Sequence, residues 1–200
     1  MDIKEVKEVF GQMAKVIEEN KIYLQELDTA IGDGDHGFNM DRGMKKANED
    51  IQNMEFHDLK QLFSKISMDF ISTIGGASGP LYGTFFMRFA PIFAEKNEVL
   101  REDFNQAFQA GLEGIKQRGQ ANLGDKTMVD VLEPVSQALN NNEDFSIIAS
   151  LAKEKMENTK EYKANKGRAY YLGDRSIGHI DPGAASSYLL INTLCEYIGG

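Results

Sequence analysis

Along most of the chain, apolar residues return every three or four positions. Leu59, Leu62, Phe63, Ile66, Phe70 and Ile74 keep that spacing through "DLKQLFSKISMDFISTI". Val6, Val9, Phe10, Met13 and Ile17 do so near the start, and Phe104, Phe108, Leu112 and Ile115 do so mid-chain. Such spacing places an apolar stripe on one helical face, which then has to be buried. It predicts helices near 2–27, 38–52, 58–74, 79–95, 101–118, 127–140, 144–163 and 182–198, of which the first could break near Asn20. No stretch alternates with period two between hairpin turns, so no strands are expected. Pro134 lacks an N–H and should kink the sixth helix or shift its start. Asp181-Pro182 reads as the N-cap and first residue of the last helix. Short connections favour antiparallel neighbours, so the expected architecture is an all-α, up-and-down bundle or closed barrel of eight helices, one domain over residues 1–200.

Four segments interrupt this pattern: "DTAIGDGDHG" (28–37), "GGASGP" (75–80), "RGQANLGDKT" (118–127) and "NKGRAYYLGDRSIGHIDPG" (165–183). They follow the first, third, fifth and seventh helices. Alternate connections of an up-and-down bundle share one end, so these four are expected to converge there. Composition then narrows the chemistry. A net charge of −9 over 200 residues argues against nucleic acid or an anionic membrane as partner, since both reward basic patches. A phosphate ligand would need a mediating cation. The run "PLYGTFFMRFAPIFA" is broken by Arg88 and is shorter than the ~20 residues that span a bilayer. The opening residues show no apolar signal region, and Cys195 is the single cysteine. A reducing cytoplasm is the expected location.

Within the first segment, Gly32, Gly34 and Gly37 fit G-x-G-x-x-G, but a helical pattern precedes them where a dinucleotide fold needs a strand. Asp33 and Asp35 would also repel a phosphate. A calcium-loop reading counted from Asp33 fails, because Gly37, Phe38 and Met44 stand where an oxygen ligand, Gly and Glu are required. What remains is a carboxylate cluster for a hard cation, in which Asp33 and Asp35 grip together and Asp28 adds an oxygen from the side. Magnesium, which keeps water and substrate phosphates in its shell, suits such a set. The alternative is an exposed acidic turn, which Asp and Gly also favour. "GGASGP" leads into a helix with Ser78 as the expected N-cap and is either an anion site or an ordinary interhelical turn. "RGQANLGDKT" nearly spells a phosphate loop, but Asp125 is inserted before Lys126 and Thr127. It is expected to open a helix at Thr127, with Asp125 as cap and Lys126 as a local cation. Lys166, Arg168 and Arg175 populate the last segment, as partners for phosphate or as parts of a solvated loop. His36 could contact phosphate or carry a phosphoryl group. His57 is expected at a helix start and His179 before a cap, and no nucleophilic triad is evident.

Taken together, "LDTAIGDGDHGFNMDRG", "GGASGPLYGTFF", "RGQANLGDKTM" and "KGRAYYLGDRSIGHIDPGA" resemble the nucleotide-binding L subunits of bacterial dihydroxyacetone kinases driven by the phosphoenolpyruvate phosphotransferase system. The resemblance covers essentially the whole chain, and the length matches a free-standing subunit. It implies an eight-helix barrel with the nucleotide at one end. It implies that Asp28, Asp33 and Asp35 hold two Mg²⁺ and that His36, Gly37, Phe38, Asn39, Ala77, Ser78, Gly119, Met128, Arg168, Asp181, Pro182 and Gly183 contact a tightly bound ADP or ATP. Asp28, Asp33, Asp35 and Arg168 are then the catalytic set. Gly34 stands where such subunits often have Ala, a change that touches no ligand atom. The implied partners are a phosphohistidine M subunit, which rephosphorylates the bound ADP, and a K subunit carrying dihydroxyacetone, with a homodimer left open. Two other readings remain: a related kinase domain serving another acceptor such as a fatty acid, and a sensor whose nucleotide state is read by a transcriptional regulator.

Overall fold

In the computed structural model, which describes residues 1–199, eight α-helices follow one another: α1 (Ile3–Ile31), α2 (His36–Asn53), α3 (Leu59–Thr73), α4 (Ser78–Phe89), α5 (Arg101–Gly119), α6 (Val129–Asn140), α7 (Phe145–Asn158) and α8 (Pro182–Gly199). Three 3₁₀ segments, Ala90–Phe93, Thr159–Glu161 and Arg168–Ser176, fill the connections. Each helix packs on the next, and α8 returns to α1, which closes an antiparallel barrel. Among the described residues there is no strand, and an isolated bridge joins Asp2 to Glu98. No described helix is long and apolar enough to cross a membrane.

Local signals explain several boundaries. Asp2 and Glu5 form a reciprocal capping box that starts α1, satisfying two N–H groups the helix cannot. The Asp58 carboxylate caps α3 by accepting from Gln61 N at 2.8 Å and also accepts from Glu95 N at 3.0 Å, which ties that corner to the end of the 3₁₀ turn. α4 stops at Phe89 and tightens into 3₁₀ geometry where Pro91 removes a donor. The expected helix ran on to 95.

Other expectations shift in informative ways. α1 does not break at Asn20. The Asn20 amide donates to the Val16 carbonyl at 2.8 Å, and the helix runs unbroken to Ile31, so Asp28 lies inside its last turn. α2 begins at His36, two residues before the expected start. α6 begins at Val129 and passes through Pro134 in its second turn. α7 ends at Asn158, and the last connection, expected as a plain loop, contains the 3₁₀ segment Arg168–Ser176.

The inward stripes meet in a phenylalanine-rich core. Phe63 meets Phe89 edge-on at 4.8 Å, and Phe85 meets Phe108 at 5.3 Å in the same manner. Phe70 is wholly buried between Phe10, Tyr82 and Phe86. Inside this lining the barrel encloses an apolar cavity of about 120 Å³. The rigid ring of helices delivers four connections to one end of the molecule.

Candidate functional site

At that end lies a second cavity, of about 170 Å³, lined from all four connections: Asp28 to His36, Gly75 to Leu81, Lys126 to Met128, and both Lys166–Ala169 and Asp181–Gly183. Its acidic wall is built by the last turn of α1 and the first of α2. Asp28 is buried, and one of its oxygens (Oδ2) accepts from Asp35 N at 2.8 Å and from His36 N at 3.0 Å. It thereby caps α2 from another helix, a role the cap residue Asp35 does not fill with its own side chain. Gly32 permits this. A Cβ there would stand 2.0 Å from Asp28 Oδ1, so any side chain would displace the carboxylate. Exposed Asp33 and Asp35 complete a trio whose ligating oxygens all lie within 4.8 Å of one another. Three hard oxygen donors this close suit a small divalent cation better than any neutral ligand. Arg168, from the last connection, pairs with Asp33 at 2.8 Å.

The opposite wall is positive by backbone rather than by side chain. α4 starts at Ser78 and α8 at Pro182, and both starts line the cavity. Free N–H groups of a helix's first turn favour anions. Ser78 is not the N-cap: Ala77 is, with helical backbone and no side-chain cap bond. The Ser78 hydroxyl is engaged instead by His36, with Nδ1 to Oγ at 3.0 Å. Asp181 caps α8 as expected, accepting from Ala184 N at 2.7 Å.

His36 is buried, with Nε2 at 2.9 Å from the Ser186 hydroxyl. Tyr82 joins Ser186 to Ser187 at 2.9 Å each. Burial lowers the His36 pKa against the opposing pull of Asp28 and Asp35. With Nδ1 engaged by Ser78 and Nε2 by Ser186, His36 presents no free ring nitrogen to the cavity. Burial pushes the Asp181 carboxyl up to about 7, and it raises Asp130 as well.

Of the residues singled out from the sequence, Asp28, Asp33, Asp35, His36, Ala77, Ser78, Met128, Arg168, Asp181, Pro182 and Gly183 line this one cavity. Gly37, Phe38, Asn39 and Gly119 do not. Gly37 is pressed against α1, where a Cβ would sit 2.0 Å from the Lys21 carbonyl. Phe38 points outward and is about half exposed. Asn39 is buried and holds Arg42 through a 2.7 Å bond. Gly119 lies beside Leu81, which does line the cavity.

The sequence reading missed Asp130 and the burial of Lys126. Lys126, expected as a local cation, lines the cavity but is itself buried. Asp130 sets the glycine turn by accepting from Gly124 N and Thr127 N, the work expected of Asp125. Asp125 instead closes its own turn on Asn122 N. An Asp three residues after Thr127, in the first turn of α6, was the available signal.

Residues 30–196 match the DAK2 domain family. The chain is 45% identical over 180 residues to the PEP-dependent dihydroxyacetone kinase 1, ADP-binding subunit DhaL of Listeria innocua, covering 90% of this chain and 89% of that one. It is 42% identical to the PTS-dependent dihydroxyacetone kinase, ADP-binding subunit DhaL of Lactococcus lactis, covering 96% and 95%. Among solved structures, the dihydroxyacetone kinase of C. freundii in complex with AMP-PNP and Mg²⁺ superimposes with a TM-score of 0.77 at 25% identity, over 96% of this chain. The chain covers 33% of the length of that longer kinase.

Proposed function

The chain belongs to the DAK2 domain family, and on that premise we propose that it is the ADP-binding subunit of a phosphoenolpyruvate-dependent dihydroxyacetone kinase. The observation that carries this reading is the juxtaposition, in one cavity, of a three-carboxylate cluster with two helix N-termini and an arginine. Carboxylates alone would repel a diphosphate. N-termini alone would hold it without activating it. The two together suit a nucleotide whose phosphates are bridged to protein by metal.

Asp28, Asp33 and Asp35 would hold Mg²⁺, and the donor set fits. One Asp28 oxygen is committed to backbone N–H groups, which fixes the orientation of the other. The oxygens of exposed Asp33 and Asp35 would complete the donor set for the two Mg²⁺ of this reading. Bound Mg²⁺ supplies Lewis-acid charge to the transferring phosphoryl group. The α4 and α8 N-termini orient the phosphates, and His36 fixes the Ser78 hydroxyl beside them. Arg168 neutralises Asp33 in the structure. With Asp33 engaged by metal, the Arg168 guanidinium would be free to pair with phosphate. No side chain in the cavity is placed as a covalent phosphoryl carrier, so the chain acts by positioning and electrostatics. The nucleotide is rephosphorylated in place by a phosphohistidine partner and spent on dihydroxyacetone held by another subunit.

The test is a two-stage transfer. Purified protein loaded with Mg·ADP should form bound ATP when a phosphorylated M-type subunit is added. It should return to ADP when a K-type subunit with dihydroxyacetone follows. Rapid mixing of free labelled ATP into dihydroxyacetone phosphate would instead indicate an ordinary exchanging kinase.

A further inference from the structure

Lys126 takes no part in the transfer just described, yet it is the most unusual residue at the cavity. Its exposure is 1%, and its backbone φ of +62° lies in the left-handed region, where any residue with a Cβ is strained. Nearby Gly124 meets the same demand as a glycine. Glu95, Gln120 and Asn142 share that backbone region, but Lys126 combines it with full burial of a long cationic side chain, and what its ammonium touches sets it apart. Its Nζ donates to the carbonyls of Thr159 at 2.7 Å, Tyr162 at 3.2 Å and His179. An ammonium has three N–H donors, and all three are used.

Those acceptors lie at the two ends of one connection. Thr159 and Tyr162 stand where α7 gives way, and His179 stands two residues before the Asp181 cap of α8. Thr159, itself buried, receives the Asp181 N–H on its hydroxyl at 3.0 Å. Gly178 N donates to the Lys160 carbonyl at 2.7 Å, and Asn165 N to the Asp125 carbonyl at 3.1 Å. The intervening stretch carries Arg168, the partner of Asp33.

We propose that Lys126 is a positioning residue for the nucleotide. Its ammonium gathers both ends of the 159–181 connection, so that Arg168 and the α8 N-terminus are held facing the carboxylate trio. The role rests on the nucleotide reading above, and the experiment separates the two. Lys126→Met removes the charge at similar length. Lys126→Gly also relieves the backbone and leaves room for a small alkylammonium ion.

Both nucleotide-free variants should show amide exchange at least tenfold faster across residues 160–181, with α2 and α3 unchanged. Both should bind Mg·ADP at least tenfold more weakly than the unaltered chain. Ethylammonium chloride should restore affinity in Lys126→Gly, and equal sodium chloride should not. Unaltered Mg·ADP affinity in either variant would overturn the proposal. So would exchange that rises equally in every helix, which marks general destabilisation. If the unaltered chain fails to bind Mg·ADP, the nucleotide reading falls and the assignment of Lys126 as its positioning residue falls with it.

Discussion

The apolar cavity inside the barrel and the polar cavity at its end are made by opposite means. The inner one is walled by phenylalanine, methionine and aliphatic side chains. Each adds its own increment of buried area, at roughly 25 cal/mol per Å², and each touches several interchangeable neighbours. The outer one is walled by a handful of polar groups with named partners: Asp28 on two backbone N–H groups, His36 between two serines, Asp33 on Arg168, Lys126 on three carbonyls. Losing a core side chain should cost stability and spare the site. Losing a site side chain should cost function and spare the fold.

The largest separation is expected from Asp35→Asn and Asp33→Asn. Each removes a carboxylate from the metal cluster and should lower phosphoryl transfer at least about a thousandfold, on the order of 4 kcal/mol in the barrier. Far-ultraviolet circular dichroism should be unchanged, because both residues are exposed. Unfolded variants would break the comparison.

Phe70→Ala is the converse. Phe70 is wholly buried and packs on Phe10, Tyr82 and Phe86, so its truncation should cost about 3–4 kcal/mol in denaturant unfolding. At a temperature where the variant remains folded, Mg·ADP affinity should stay within about threefold of the parent. A much larger loss would mean that the two regions are coupled.

Chelation probes the outer region alone. Protein with Mg·ADP at a hundredfold excess over Kd should be stabilised by about 2.7 kcal/mol relative to the EDTA-treated form. Without cation, the carboxylates would face the phosphates directly. Equal melting temperatures with and without EDTA, nucleotide being retained, would refute metal bridging.

The smallest effect concerns Asp181. The residue is half-buried, but its carboxyl is desolvated, and its pKa rises from 3.8 to about 7. Between those values the folded protein keeps a proton that the unfolded chain releases. The contribution is therefore complete below about pH 4 and is lost as pH climbs to about 7. In metal-free protein, unfolding free energy should fall over that window by about 1–2 kcal/mol more in the parent than in Asp181→Asn, with cavity water limiting the size. Parallel pH profiles would show that the carboxyl titrates normally.

The inner region was legible because burial leaves a periodic trace. The 3.6-residue recurrence that selects Leu59 to Ile74 as a helix is the same recurrence that lines the barrel. The outer region was legible only in part. Asp33 and Asp35 announced themselves by spacing, and the alternation of connections placed four segments together. The residues that organise those segments left no comparable trace. Asp28 serves as cap to a helix other than its own, and nothing in "LDTAIGDGDHG" says so. Ser186 holds His36 across 150 positions of chain, and Tyr82 holds Ser186 across 104, contacts set by how the closed barrel brings α2, α4 and α8 together.

The sequence by itself determined the helices, their number and order, their antiparallel succession and the end at which the chemistry gathers, because these follow from local periodicity, capping and connection length. Whether the succession closes into a barrel was settled by the packing of α8 on α1. Tertiary structure alone decided that α1 runs on through Asn20 so that Asp28 is held in a helix, that Ser78 answers to His36, and that Lys126 is buried on three carbonyls. Those outcomes depend on partners distant in the chain, and a polar side chain's role is set by whichever unsatisfied donor or acceptor the fold brings to it.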